Sequence, residues 1–245
     1  MIKRSGYSSV ARTSEVILKD KRSAKGEAQY QEPIRTVKSR GTERLGLMTS
    51  WAYLDDPRRL AFTFSRYKFV SKMLAGAEHV LEIGCGDGFA TRIVVQSVRK
   101  LTAVDFDQSF VDDANSRMLD PWRFNCHQHD ILDGPVPGQF DGVYSLDVLE
   151  HIPMDCEDRF MRNLVSCMTD TGVAIIGMPS LQSQAYASPQ SKEGHVNCKD
   201  QNDLRKFLQR YFRNVFAFSM NDEVVHTGYS AMSHYNLGLC CGRLG

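Results

Sequence analysis

One segment constrains this chain more than any other. Val80-Leu81-Glu82-Ile83 is a short buried-type run, and it leads straight into Gly84-Cys85-Gly86-Asp87-Gly88-Phe89 and then a helical stretch, Ala90 to Val98. Alternating glycines between a strand and a helix predict a tight turn. Glycine tolerates positive φ, and a backbone without Cβ lets a ligand lie against it, with the helix N-terminus just beyond. The next apolar run, Leu101-Thr102-Ala103-Val104, ends on Asp105, 17 residues after Gly88. A carboxylate in that place can accept both hydroxyls of a ribose. A glycine-rich turn followed by a solvated aspartate is the bland alternative, and the spacing argues against it.

The rest of the chain is consistent with this start. Strand-like runs at His79 to Ile83, Leu101 to Asp105, Phe124 to His129, Phe140 to Ser145 and Val173 to Met178 alternate with helical stretches at Gln108 to Arg117 and Asp155 to Met168. That order predicts an α/β fold with a parallel sheet covered on both faces. Before it, Leu60, Phe64, Tyr67 and Leu74 recur at near-helical spacing, and Asp55-Asp56-Pro57 reads as a helix start, so one amphipathic helix is expected over 57–74. After it, Asp203 to Phe212 reads as a helix, and Val215 to Ser219 and Tyr235 to Cys240 as strands.

Two nucleotide readings compete at the glycines. Dinucleotide folds use G-x-G-x-x-G, whereas the third glycine here comes one residue sooner, and Glu82 suits a cationic ligand better than a pyrophosphate. Glu82-x-Gly84-x-Gly86-x-Gly88 followed by Asp105 resembles the first motif of the class I S-adenosylmethionine-dependent methyltransferases. Leu146-Asp147-Val148-Leu149-Glu150-His151-Ile152 is similar to the fourth strand and following turn of small-molecule members, including those of ubiquinone biosynthesis. The resemblance is close over 74–178 and looser beyond.

It implies a Rossmann-like, seven-stranded, mainly parallel sheet with an antiparallel C-terminal hairpin. S-adenosylmethionine would lie over the carboxyl ends of the first, second and fourth strands and leave as S-adenosylhomocysteine. Glu82, Gly84, Cys85, Gly86 and Gly88 would face its methionine part, and Asp105 its ribose. Phe106 would stack on adenine, Asp130 and Ile131 would meet the adenine edge, and Leu146 and Asp147 would complete the cofactor side.

Methyl transfer from a sulfonium is mainly a matter of alignment and water exclusion, but an alcohol acceptor also wants a base. His195, in a Gly194-His195-Val196-Asn197 segment that resembles a piece of sugar-modifying members, is the expected base, with His151 as the second candidate; bracing of its own loop is the alternative for each. The expected cap comprises residues 50–74 and the long polar segment 180–199. Arg66, Tyr67, Ser180, Gln182, Tyr186, Asn197 and Lys199, together with the polar island Asn221, Asp222, His226 and Tyr229, are the expected acceptor contacts. These groups suit a sugar hydroxyl, or a phosphate or phosphoramidate, on a small acceptor such as a phosphorylated or nucleotide-linked sugar for bacterial capsule or lipopolysaccharide. An aromatic or quinone-precursor hydroxyl is the nearest alternative, and a non-catalytic S-adenosylmethionine-binding module the other. Asp147, Glu150 and His151 share one turn, but helix capping and loop orientation account for them, so no metal is expected.

Composition adds boundaries. Residues 1–45 hold 11 Lys and Arg against 5 Asp and Glu, in a chain whose net charge is only +1. With few aromatics, 1–48 reads as a basic, flexible arm before a catalytic domain over 49–245. No zinc-finger spacing or basic aromatic helix points to nucleic acid. No run nears the ~18 apolar residues of a membrane span, and no apolar leader opens the chain, so a cytoplasmic protein is expected. Seven cysteines without a C-x-x-C pair predict neither disulfides nor a thiolate zinc site.

Overall fold

The computed structural model describes residues 27–244. It divides into two compact units, one ending at Arg44 and the other running from Leu45. The first contains helix α1 (Gln31–Arg40), which stops at Gly41 with φ of 85°. Part of the expected arm is therefore helical, residues 45–48 belong to the larger unit, and residues 1–26 lie outside the described residues.

The larger unit is built on an eight-stranded sheet of order β3-β2-β1-β4-β5-β8-β6-β7. Its strands are β1 (Val80–Ile83), β2 (Leu101–Asp105), β3 (Asn125–Gln128), β4 (Phe140–Leu146), β5 (Met168–Pro179), β6 (Phe212–Asn221), β7 (Val224–His226) and β8 (Tyr235–Arg243). Strands β1 to β5 pair in parallel, and β8 inserts antiparallel between β5 and β6. Sequence reading expected seven strands. The extra one, β7, is three residues of the polar island folding back on β6.

Every residue of β1 and β2 is buried, the polar Glu82, Thr102 and Asp105 included, as strands covered by helices on both faces are. On one face, Leu81, Ile83 and Ile176 pack with Phe160 and Leu164 of α6 (Glu157–Ser166) and with Leu204 and Leu208 of α8 (Gln201–Leu208). On the other, Val80, Ala103 and Tyr144 pack with Val70 of α3 (Arg58–Met73), Val94 of α4 (Thr91–Val95) and Val111 of α5 (Gln108–Ser116).

The expected helix over 57–74 is α3. Ahead of it stands α2 (Leu47–Asp55), separated where Asp56 turns extended before Pro57. Sequence periodicity missed α2 because none of its residues is buried, so it carries no clear apolar stripe. The segment 180–199 is not an open loop. A 3-10 turn (Gln182–Tyr186) and α7 (Pro189–Gly194) fill it, and a bridge between Ser180 and Lys199 draws its ends together.

Candidate cofactor and acceptor site

The glycines do separate jobs. Gly84, Gly86 and Gly88 all have positive φ, at 77°, 52° and 64°. A Cβ on Gly84 would stand 2.2 Å from Val148 Cγ2, and one on Gly88 2.9 Å from Phe124 Cζ, whereas one on Gly86 would meet nothing within 4 Å. Gly84 and Gly88 permit close packing of the protein on itself; Gly86 opens onto space. That space is a cavity of about 860 Å³. Its floor is Ile83 to Asp87, its sides are Asp105, Phe106 and Asp130 with Leu146 and Asp147, and its cover is Met48, Thr49, Trp51 and Ala52 of α2 with Phe64 and Tyr67 of α3.

Asp105 is buried at the end of β2, where its carboxylate accepts from the N–H of Gly86 at 2.8 Å and of Asp107 at 3.0 Å. Burial raises its pKa, and the two backbone donors work against that rise. Two donors leave the carboxylate further acceptor capacity on the cavity side. Phe106 is exposed at the rim, and Asp130 closes its own turn by accepting from the Leu132 N–H at 2.8 Å. Glu82 departs from expectation. Its carboxylate lies beneath the glycine loop, accepting from Tyr67 Oη and Thr91 Oγ1, each at 2.7 Å, and it does not line the cavity. Burial raises its pKa to about 7 against those hydrogen bonds. Gly88 is likewise outside the lining.

At the other end of the cavity stand Asp147, Val148, His151, Ile152 and Pro153. Asp147, in a left-handed conformation with φ of 57°, is held by Arg66, whose Nη1 lies 2.7 Å from Oδ2. Behind His151, Glu150 is 1% exposed and neither of its carboxylate oxygens has a hydrogen-bond partner. Burial, and next the charge of Asp147, raise its pKa well above the ordinary value. Neither the capping nor the orienting role expected of this side chain is what it does.

Folding of 180–199 brings His195 to this place. The rings of His151 and His195 lie 5.1 Å apart, and one ligand atom each from Glu150, His151 and His195 falls within 4.8 Å of the others. His151 Nδ1 is 2.9 Å from the Gly194 carbonyl, which can only accept, so this nitrogen carries the proton. His195 Nδ1 is 2.9 Å from Gln184 Oε1, and the amide is oriented by its own donation to Ser180 O and Ser183 Oγ. With Nδ1 of each ring engaged, Nε2 is the nitrogen left over in each, and that of His151 lies 4.0 Å from Glu150 Oε1. Burial, and next the neighbouring His151, lower the His195 pKa and keep it neutral. Spacing alone argued against a metal; the fold gathers one ligand atom each from Glu150, His151 and His195, a set of the kind that holds a divalent cation.

The remaining acceptor contacts are not brought to the cavity. Asn197 and Lys199 both donate to Glu157 Oε2, at 2.9 and 2.8 Å, and so fasten the His195 segment to α6. Ser180 donates to the Ser233 carbonyl, Asn221 accepts from His226, and Tyr186 and Tyr229 point to solvent. Arg66, Gln182 and Asp222 are also absent from the lining, which leaves Tyr67 alone among these residues on a wall. Trp51 falls within the expected cap over 50–74, whereas Thr49 and Asp87 are lining residues that sequence reading missed.

Residues 80–172 match the family model described as a methyltransferase domain. Over that stretch the chain is similar to S-adenosylmethionine-dependent methyltransferases. It is 29% identical over 123 residues to a probable S-adenosylmethionine-dependent methyltransferase of Mycobacterium tuberculosis, covering 49% of this chain and 43% of that one. To a ubiquinone biosynthesis O-methyltransferase of Rickettsia bellii it is 30% identical over 133 residues, 54% of each chain. The chain thus spans about half the length of the curated relatives it matches. Among solved structures, the N-methyltransferase NodS of Bradyrhizobium japonicum, in complex with S-adenosyl-L-homocysteine, superposes with a TM-score of 0.58 at 21% identity, over 78% of this chain and 91% of that one. The cavity of this chain offers a buried carboxylate after β2, open space over Gly86, and aromatic walls. No helix among the described residues is long and apolar enough to cross a membrane.

Proposed function

We propose that this protein transfers a methyl group from S-adenosylmethionine to an oxygen of a small acceptor, and that Glu150, His151 and His195 activate the acceptor hydroxyl. One observation carries the reading: His151 lines the same cavity that Asp105 and Gly86 line, and His195, itself outside the lining, packs its ring 5.1 Å behind that of His151. S-adenosylmethionine supplies an electrophilic methyl on a sulfonium; the acceptor oxygen forms the new C–O bond while the C–S pair returns to sulfur. The chain's work is to hold both partners in line, exclude water under α2 and α3, and take the hydroxyl proton. His195 Nε2 can take it directly. A divalent cation held by the three side chains would instead lower the hydroxyl pKa.

For the acceptor, the aromatic and aliphatic walls, Trp51, Leu60, Phe64 and Ile152, support an aromatic or quinone-precursor hydroxyl. A relative named for ubiquinone biosynthesis O-methylation supports the same choice. The sugar reading, with its capsule or lipopolysaccharide role, keeps the polar 180–199 segment as support but loses Asn197 and Lys199 to Glu157. A cytoplasmic site of action fits either acceptor.

The test is turnover of S-adenosylmethionine to S-adenosylhomocysteine with catechol-type and nucleotide-sugar acceptors, each with chelator and with added Mg²⁺ or Mn²⁺. Methylation of a phenolic hydroxyl supports the reading. Tight cofactor binding with no turnover on any acceptor would leave a binding module in its place. Activity indifferent to chelator assigns the proton to His195 alone.

A further inference from the structure

Helix α2 covers the cofactor half of the cavity, yet it has little of its own to hold it there. It is nine residues long, none of them buried, and a helix of that length is marginal in isolation. Its N-cap is Gly46, which offers no side chain, and two carboxylates from elsewhere in the fold do the capping instead. Asp87, inside the glycine loop, accepts from the Thr49 N–H at 2.7 Å through Oδ2 and from Thr49 Oγ1 at 3.1 Å through Oδ1. Asp113 of α5 accepts from the Leu47 N–H at 3.2 Å. Buried Arg117 ties the two supports together, donating to Asp113 Oδ2 and to the Asp87 carbonyl. The fit leaves no room for any other residue at 46, where a Cβ would stand 2.2 Å from Asp87 Cγ.

We infer that Asp87 is a positioning residue that couples occupancy of the glycine loop to closure of α2, so that the Thr49–Asp87 latch sets how long the cofactor product stays bound. The inference rests on the reading that this cavity holds S-adenosylmethionine and its product. Asp87 belongs to the loop that floors the cavity and also caps the helix that roofs it. A ligand that orders the loop therefore orders the carboxylate to which α2 is fastened, and a fastened α2 in turn retains the ligand; such coupling is reciprocal.

The experiment uses full-length protein with Trp122→Phe as background, which leaves Trp51, in the cavity wall, as the single tryptophan. S-adenosylhomocysteine dissociation is followed by stopped-flow fluorescence, and hydrogen exchange of residues 47–55 is measured with and without ligand. Gly46→Ala, which displaces the capping carboxylate, and Thr49→Ala, which removes the hydroxyl's hydrogen bond to Asp87, should each speed dissociation about tenfold and remove the ligand-dependent protection of α2, with protection of β1 and β2 unchanged. Thr49→Ser, which keeps the hydroxyl, should restore both. Dissociation within twofold of the parent in both variants, or an α2 that exchanges alike with and without ligand, overturns the coupling. A parent protein that binds no S-adenosylhomocysteine overturns the reading of the cavity itself, and the coupling falls with it; faster exchange of α2 in ligand-free Gly46→Ala would then show the cap alone.

Discussion

Arg66 and Asp147 stand 81 positions apart in the chain, and Arg66 Nη1 reaches both carboxylate oxygens of Asp147, at 2.9 and 2.7 Å. The same guanidinium lies 3.8 Å from the ring centre of Tyr235. Helix α3, the end of β4 and the start of β8 are joined through one side chain, and the turn that carries Glu150 and His151 is set by it. After burial, the charge of Asp147 opposes ionisation of Glu150, with Arg66 acting the other way.

Replacing Arg66 by Leu should therefore destabilise the fold by about 2 kcal/mol, the scale of losing charged hydrogen bonds in a mostly buried place. Urea unfolding measures it. Arg66→Lys should fall between, since an ammonium cannot reproduce the planar stack on Tyr235. A loss below about 0.5 kcal/mol for Arg66→Leu would show the pair to be ornamental at the surface scale.

Glu82 gives a pH-dependent stability with a definite sign. Its folded pKa, about 7, lies above the ordinary 4.5, so the folded state holds the proton more tightly. Its stabilising effect is complete below pH 4.5 and is lost as pH rises to 7, a change of about 3 kcal/mol by linkage. Stability of wild type minus that of Glu82→Gln, from urea melts across this window, should fall with rising pH. A flat difference would place the titration elsewhere.

Two glycines should separate folding from binding. Gly84→Ala forces a Cβ against Val148 as well as a left-handed residue, and should cost about 2 kcal/mol or more of stability. Gly86→Ala bears only the backbone strain, about 1 kcal/mol, and should act chiefly on S-adenosylmethionine affinity, because its methyl enters the cavity. Asp105→Ala should weaken that affinity by about 1–3 kcal/mol. Calorimetry and thermal melts on the three variants decide it; equal loss of Tm in both glycine variants would refute the division.

His195→Ala should lower kcat by roughly 10²–10⁴-fold on a hydroxyl acceptor, with cofactor affinity preserved. A base works deprotonated, and the lowered His195 pKa puts the acid limb of kcat below pH 6.5. Loss of that limb in the variant, with the remaining rate flat down to pH 5.5, is the expected profile. An unchanged profile would transfer the role to His151.

How much of this could be read in advance follows from the range of each interaction. The strand, the glycine turn, the next strand and Asp105 lie within 26 consecutive residues, and each is signalled by its immediate neighbours: apolar runs for burial on two faces, glycines for positive φ, a carboxylate where the strand ends. Such local signals determined the parallel sheet, the place of the cavity and the cofactor class. What the tertiary structure decided depends on partners that no periodicity links. Thr49 finds Asp87 across 38 positions, and His151 finds the Gly194 carbonyl across 43. Asn197 and Lys199 look like acceptor contacts along the chain, but each donates instead to Glu157 some 40 residues away. Hydrogen-bonding capacity is a property of the side chain and so is legible in sequence; whether that capacity is left over for a ligand depends on which distant group packs against it, and only the folded chain settles that.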